Sequence, residues 1–119
     1  MELKKLEKIL LSKAGAVKEF PFGEDAMVFK VEGKMFALIA WKENPIRITL
    51  KSLPEDAIGY RELYECVKEG YYMNKKHWNT ITLDGSINDD VVFNMIDESY
   101  ILVTSKITKF DKKIIPVKS

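Results

Sequence analysis

The first hydrophobic residues of the chain recur every three or four positions. Leu3, Leu6, Ile9 and Leu10 follow the spacing of one helix face, and Gly15 is a residue type that often follows a helix end. The pattern therefore predicts an amphipathic helix at the beginning of the sequence that ends near Gly15.

The hydrophobic period then changes to two, which is typical of strands with one buried side. Residues 17–20 predict a short strand that Pro21 interrupts. Residues 26–31 and 35–41 predict a hairpin, because a short turn that contains Gly33 separates them. Since residues 35–41 are apolar on both sides, we expect them to form the central strand of the sheet.

A fourth strand and a helix follow the hairpin. Residues 46–51 alternate, with the side chains of Ile46, Ile48 and Leu50 pointing inward. Ser52 and Glu55 have the spacing of a capping box, with Pro54 between them, and predict a helix start. We expect this helix to end at Gly70 and to bury five apolar residues: Ala57, Tyr60, Leu63, Tyr64 and Val67.

The last predicted elements are a strand and a long helix. Residues 80–83 alternate as a strand, and Asp84 with Gly85 indicates a turn. Ser86 or Asn88 is expected to cap the final helix, whose buried stripe is Val92, Met95, Ile96, Ser99, Leu102 and Val103. The order α-β-β-β-β-α-β-α predicts an α+β fold in which helices pack on an antiparallel β-sheet.

Length and composition favour one globular domain. The chain has 119 residues, and 46% of them are hydrophobic, which is enough for a core of its own. We expect the domain to cover residues 1–107 and a basic tail to cover residues 108–119. The single cysteine, Cys66, indicates a reducing, cytoplasmic compartment. Because no apolar run approaches the roughly 20 residues that span a bilayer, no membrane partner is expected.

The net charge of +1 comes from 19 basic and 18 acidic residues and by itself predicts no polyanionic partner. The distribution is uneven, since residues 84–98 carry only acidic charges while five lysines lie in residues 106–119. A neutral total can therefore hide a basic face and an acidic face, or only the solvated ends of one helix and a tail.

Residues that enzymes and metal sites commonly use are scarce. His77 is the only histidine, and nothing beside Cys66 suggests an activated nucleophile. The sequence contains neither CxxC or HExxH metal motifs nor the glycine-rich loops that bind phosphates. We therefore predict a protein that is not an enzyme and that uses no metal or cofactor.

Residues 71–79 combine cations with aromatic and amide side chains. Lys75 and Lys76 have the charge to neutralise phosphates, Trp78 can stack on exposed bases, and Asn79 can pair with adenine edges. The alternative is structural: Trp78 is a core residue at a helix-to-strand junction, and Asn79 bonds the backbone of a turn.

Taken together, several motifs resemble the MmcQ/YjbR family of small bacterial proteins. They lie at residues 19–23, 28–31, 33–37, 50–51, 70–71, 73–80, 83–85, 99–100 and 102–103. The resemblance covers residues 1–107. It implies a compact α+β fold with a curved antiparallel sheet, which is also compared with secretion chaperones. It further implies wing-like hairpins of a DNA-binding type.

From these observations we predict a module that binds nucleic acid, namely DNA, and for which a monomer is the favoured state. The expected contact residues are Lys30, Lys34, Lys51, Lys75, Lys76, His77, Trp78 and Asn79. Since arginine, the commonest reader of guanine, occurs only at Arg47 and Arg61, sequence specificity should be weak.

Two alternatives remain open. The first is a protein-interaction or adaptor domain of a chaperone-like type that docks through apolar side chains around residues 20–22. The second is a small-ligand-binding protein or an unrecognised enzyme, with Lys51, Tyr71, Lys75 and His77 lining a cleft.

Overall fold

The computed structural model describes residues 1–70 and 73–105. The elements in these residues are α1 (Leu3–Leu11), β1 (Ala16–Glu19), β2 (Met27–Val31), β3 (Lys34–Ala40), β4 (Arg47–Lys51), α2 (Pro54–Leu63), β5 (Val67–Glu69), β6 (Trp78–Thr82) and α3 (Asp89–Thr104). The strands form one sheet in the order β1-β2-β3-β4-β6-β5, and every paired neighbour is antiparallel. The predicted α+β class is confirmed. The predicted tail, residues 108–119, lies outside the described residues.

The predicted β2–β3 hairpin is present, with a two-residue turn. Glu32 and Gly33 connect its strands with φ angles of 49° and 75°, which is the left-handed backbone that a tight hairpin turn requires. The register of the hairpin shifts between Phe29 and Lys30. Pairing of Phe29 with Ala37, but of Lys30 with Met35, leaves Phe36 as the extra residue of a β-bulge.

All three helices lie on one side of the sheet, which we call the covered face. Its core joins Leu6 and Leu10 of α1 to the inward side chains of the strands and to the buried stripe of α3. The fully buried strand residues of this core are Phe29, Val31, Phe36, Ala37, Ile39, Ile48, Leu50, Val67 and Ile81. Asn88 caps α3 by accepting a hydrogen bond from the Asp90 N–H at 3.0 Å.

A buried hydroxyl from α3 repairs the ladder at the bulge. Ser99, which is completely buried, donates to the Phe36 carbonyl at 2.6 Å and accepts from the Lys51 N–H at 2.9 Å. One hydroxyl can do both because it is a donor and an acceptor. Ser99 therefore ties α3 to β3 and β4 where the bulge interrupts regular pairing.

The second helix differs from the prediction at both ends. Ser52 is not its cap, because the Ser52 N–H bonds to the His77 carbonyl at 2.7 Å and keeps Ser52 beside the sheet, while Leu53 takes the N-cap position. The helix ends at Leu63, since Tyr64 is extended with φ −125° and ψ 116°. Val67 is buried as predicted, but on strand β5, and Leu63 is 75% exposed.

The other side of the sheet, which we call the open face, carries the alternate side chains of the same strands. Register places Lys30 beside Met35, Thr49 beside Thr80 and Lys51 beside Trp78 on this face. Thr49 alternates with the inward-pointing Ile48 and Leu50, and alternation alone would place it in solvent, yet it is only 4% exposed. The open face is therefore partly enclosed, although no helix of the described residues packs on it.

Candidate functional site

The open face has two parts, and the first holds most of the predicted contact residues. Antiparallel pairing brings the ends of β2 and β4 and the beginnings of β3 and β6 to the same end of the sheet. Lys30, Lys51 and Trp78 point onto the open face there, and Lys34 lies beside the hairpin turn. We call this part, with Lys75 and Lys76, the basic end.

A fixed turn presents the two adjacent lysines. The Asn74 side chain accepts from the Lys76 N–H at 2.9 Å, and the Asn74 carbonyl accepts from the N–H groups of His77 and Trp78, each at 3.1 Å. These bonds shape the backbone and leave the side chains of Lys75 and Lys76 exposed. Two cations are therefore exposed on a hydrogen-bonded turn next to the open face.

Lys30 is less available than its position suggests. Its ammonium lies 3.3 Å from a carboxylate oxygen of Glu19, and the two residues lie on adjacent strands of the open face. A single ion pair that remains partly exposed to solvent is weak, so a phosphate can compete with Glu19 for Lys30. The basic end therefore contains one internal anion as well as its lysines.

Trp78 is held by a glycine that the sequence pattern assigned to a helix end. The Gly70 N–H donates to the Trp78 carbonyl at 2.8 Å, which extends the β5–β6 pairing. A Cβ atom at Gly70 would lie 2.8 Å from the Trp78 Cβ and 3.0 Å from its carbonyl oxygen. The absence of a side chain at Gly70 therefore lets Trp78 occupy its place on the open face.

Asn79 was predicted as a contact residue, and the structure corrects this prediction. It lies on the covered face and is completely buried. Its amide nitrogen donates to the Ala57 carbonyl at 3.0 Å, and its oxygen accepts from Arg61 at 2.7 Å. Because both polar atoms are engaged inside the domain, Asn79 joins α2 to the sheet and has no access to a nucleic acid.

The second part of the open face is a cavity of about 900 Å³. Its floor is made by open-face residues of β3, β4 and β6, and its walls by residues of three loops, at positions 20–26, 41–46 and 73–77. The lining residues are Phe22, Asp25, Ala26, Met35, Leu38, Ala40, Glu43, Arg47, Thr49, Met73 and Thr80. A volume of this size is within the range of small-molecule sites.

One wall of the cavity, the loop over residues 20–26, is tied to the turn after β3. The Trp41 indole donates to the Glu24 carbonyl at 2.8 Å, and the Lys42 ammonium lies 2.9 Å from Asp25. The hydrogen bond with Asp25 raises the pKa of Lys42. This anchoring fixes the loop at both Glu24 and Asp25, while Phe22 remains 71% exposed.

Two kinds of polar group face the cavity. On the floor, the buried hydroxyls of Thr49 and Thr80 are hydrogen-bonded at 2.8 Å. At the rim, Arg47 is exposed and its guanidinium has no ion pair among residues 1–70 and 73–105. Sequence reasoning missed this cavity, because the alternation of a strand does not show that the loops at residues 20–26, 41–46 and 73–77 partly enclose this face.

The cleft predicted from Lys51, Tyr71, Lys75 and His77 is not what the described residues form. Lys51, Lys75 and His77 do not line the cavity, and Tyr71 lies outside the described part of the chain. Across those same residues no cluster of three or more His, Cys, Asp or Glu side chains has the arrangement of a metal site. No helix there is long and apolar enough to cross a bilayer.

Comparison with known proteins gives the family. The YjbR family model matches residues 11–102, which include both parts of the open face. The chain belongs to the YjbR family. It is 33% identical to the uncharacterized protein YjbR of Escherichia coli K12 over 84% of this chain and 85% of that protein. It is 35% identical to the uncharacterized protein YbdF of Escherichia coli O157:H7, over 79% of this chain and 77% of that one.

Solved structures agree with YjbR membership and confirm the family predicted from the motifs. The crystal structure of Deinococcus radiodurans protein DR2400, with a domain described as DUF419, has a TM-score of 0.89 and 33% identity. The match covers 93% of this chain and 85% of that one. A Pseudomonas syringae protein matches with a TM-score of 0.74 and 25% identity, over 87% of this chain and 99% of its own.

Proposed function

We propose that this YjbR protein is a non-enzymatic module that binds nucleic acid through the basic end of its open face. The observation that carries the proposal is that Lys51 lies beside the half-buried Trp78 on the open face, while Lys75 and Lys76 are exposed on the turn that leads into β6. Lysines neutralise phosphates without reading sequence, and an indole accepts any base by stacking. The expected binding is therefore electrostatic and weakly sequence-specific.

The shape of this surface favours single strands over duplexes. Trp78 lies on the open face beside Lys51 and is only half-buried, and a base can stack on an indole only when it is unpaired and leaves its own stack. Because Asn79 is buried, the predicted contact residues include no exposed amide side chain that could pair with an adenine edge. A single-stranded DNA or RNA should consequently bind more tightly than a duplex of the same sequence.

The test is fluorescence anisotropy with labelled single-stranded and duplex oligonucleotides at several salt concentrations. Lys75→Glu/Lys76→Glu should weaken binding of single strands at low salt at least tenfold and flatten the salt dependence. Lys4→Glu/Lys8→Glu is the matched control, because it makes the same change in charge at two exposed lysines of α1 on the covered side. Equal losses in both variants, or no binding at low salt, would refute the proposal.

A further inference from the structure

The nucleic-acid proposal leaves the cavity of the open face unused. The cavity shares the sheet with the basic end, but its lining includes none of Lys30, Lys51, Lys75 and Lys76. Its floor and walls are largely apolar, through Met35, Leu38, Ala40, Met73 and Phe22. An apolar chamber with a few fixed polar groups is the usual form of a small-molecule site.

Arg47 gives this chamber a charge preference. It lies on β4, where pairing with Ala40 and Thr82 on both sides fixes its backbone. Within residues 1–70 and 73–105 no carboxylate lies within ion-pair distance of its guanidinium. A planar guanidinium held at an apolar cavity is suited to a carboxylate, which it can bind through two parallel hydrogen bonds.

The acidic residues of the rim do not cancel this preference. Asp25 is already paired with Lys42 at 2.9 Å. Glu43 is exposed on the turn after β3, and it lies more than 4 Å from Arg47, since no ion pair joins them. Arg47 is thus a strand-fixed cation, whereas Glu43 is a loop-borne anion in water.

The Thr49 and Thr80 hydroxyls supply a second polar contact on the floor. One donates to the other, so the pair keeps one hydroxyl proton that is free to bond an acceptor. Above them, the aromatic ring of Phe22 remains largely in water beside the cavity. An apolar ligand would remove this ring from water, which is favourable in proportion to the area covered.

We propose that the cavity binds a small organic anion with an apolar body and one carboxylate. The carboxylate pairs with Arg47, the body lies on Met35 and Leu38, and Phe22 closes over it. This site is independent of the nucleic-acid surface, because it uses other residues of the open face.

The test uses 8-anilinonaphthalene-1-sulfonate as a fluorescent probe, with its sulfonate standing in for the carboxylate. Octanoate and 1-octanol are the competitors, since they share an apolar chain and differ in charge. We expect octanoate to displace the probe at about tenfold lower concentration than 1-octanol. Arg47→Gln should abolish this difference, and Phe22→Ala should weaken both competitors several-fold.

Matched variants make the result decisive. Glu43→Gln removes the opposite charge from the same rim and should leave octanoate binding unchanged or tighten it about twofold. Lys75→Glu/Lys76→Glu should not change it, which separates this site from nucleic-acid binding. Three results would overturn the proposal. They are equal displacement of the probe by octanoate and 1-octanol, no effect of Arg47→Gln in a variant with unchanged thermal stability, and a loss of octanoate binding in Glu43→Gln as large as that in Arg47→Gln.

Discussion

The polar side chains on the two sides of the sheet differ in burial and in hydrogen bonding. On the covered face, Ser99 and Asn79 are completely buried, and both form their hydrogen bonds with groups inside the domain. On and beside the open face, the charged groups of Arg47, Lys75 and Lys76 reach solvent and bond no other side chain of the described residues.

This difference separates structural from functional polarity. A buried polar group must have a partner, because an unpaired one costs about 1–3 kcal/mol of stability. An exposed cation is under no such requirement and remains available to a ligand. Substitutions on the covered face should therefore change stability, and those on the open face should change binding.

The largest stability effect should come from Ser99→Ala. The change leaves the buried Phe36 carbonyl and Lys51 N–H without their shared partner and should cost about 3 kcal/mol. Urea denaturation measures the loss, with the exposed Ser105→Ala as the control, expected to cost under about 0.5 kcal/mol. A loss below about 1 kcal/mol would show that the bulge does not depend on α3.

The second-largest loss of stability, about 2 kcal/mol, should come from Gly70→Ala. A Cβ atom there would meet Trp78 backbone atoms that cannot move independently of β6. Gly59→Ala is the matched control. That glycine lies inside α2 with nothing within 4 Å of its Cβ position, so alanine there should stabilise by about 0.5–1 kcal/mol. Thermal unfolding of the two variants should therefore shift in opposite directions.

The Thr49–Thr80 pair sharpens the comparison, because it is buried yet lies on the open face. Thr49→Val and Thr80→Val should each lower the free energy of unfolding by about 1 kcal/mol, because each leaves one buried hydroxyl without its hydrogen-bond partner. The double variant should cost less than the sum, because both partners are then apolar. If the singles cost nothing, water in the cavity already satisfies these hydroxyls.

The smallest effect concerns Glu98, where burial raises the carboxyl pKa. The folded protein then holds this proton more tightly than the unfolded chain, so the ionised group disfavours folding at neutral pH. Its hydrogen-bonded neighbour Tyr60 has a pKa raised to about 12, mainly by burial. Glu98→Gln should raise the unfolding temperature by about 2 °C at pH 7. The gain should shrink as pH falls through the carboxyl range, and a gain independent of pH would exclude this origin.

Local patterns predicted the fold well where period and turn chemistry agree. The β2–β3 hairpin follows from two apolar segments that a short turn with Gly33 separates, and α3 follows from its apolar stripe and the Asn88 cap. Local patterns failed at α2. Ser52 and Glu55 fit a capping box, but Ser52 forms a long-range hydrogen bond to His77 instead of capping the helix. Helical spacing carried on to Val67, although pairing with β6 turns that segment into a strand.

The site was harder to predict than the fold. Lys30, Lys51 and Trp78 meet on one face because of strand register, which a single sequence does not display. Asn79 stood next to Trp78 in the sequence, but strand alternation sends it to the opposite face. Arg47 was noted only as one of two arginines, since nothing in its neighbourhood along the chain indicates a cavity.

The most direct test of the open face as the binding face is a two-dimensional NMR titration of the isotope-labelled protein with a short single-stranded oligonucleotide. If the open face binds the oligonucleotide, signals should shift at Lys51, at residues 74–77 and at the Trp78 indole. The Trp41 indole, bonded to the Glu24 carbonyl at 2.8 Å, and the amides of α1 should not change. Shifts centred on α1 or α3, or none at low salt, would contradict binding at the open face.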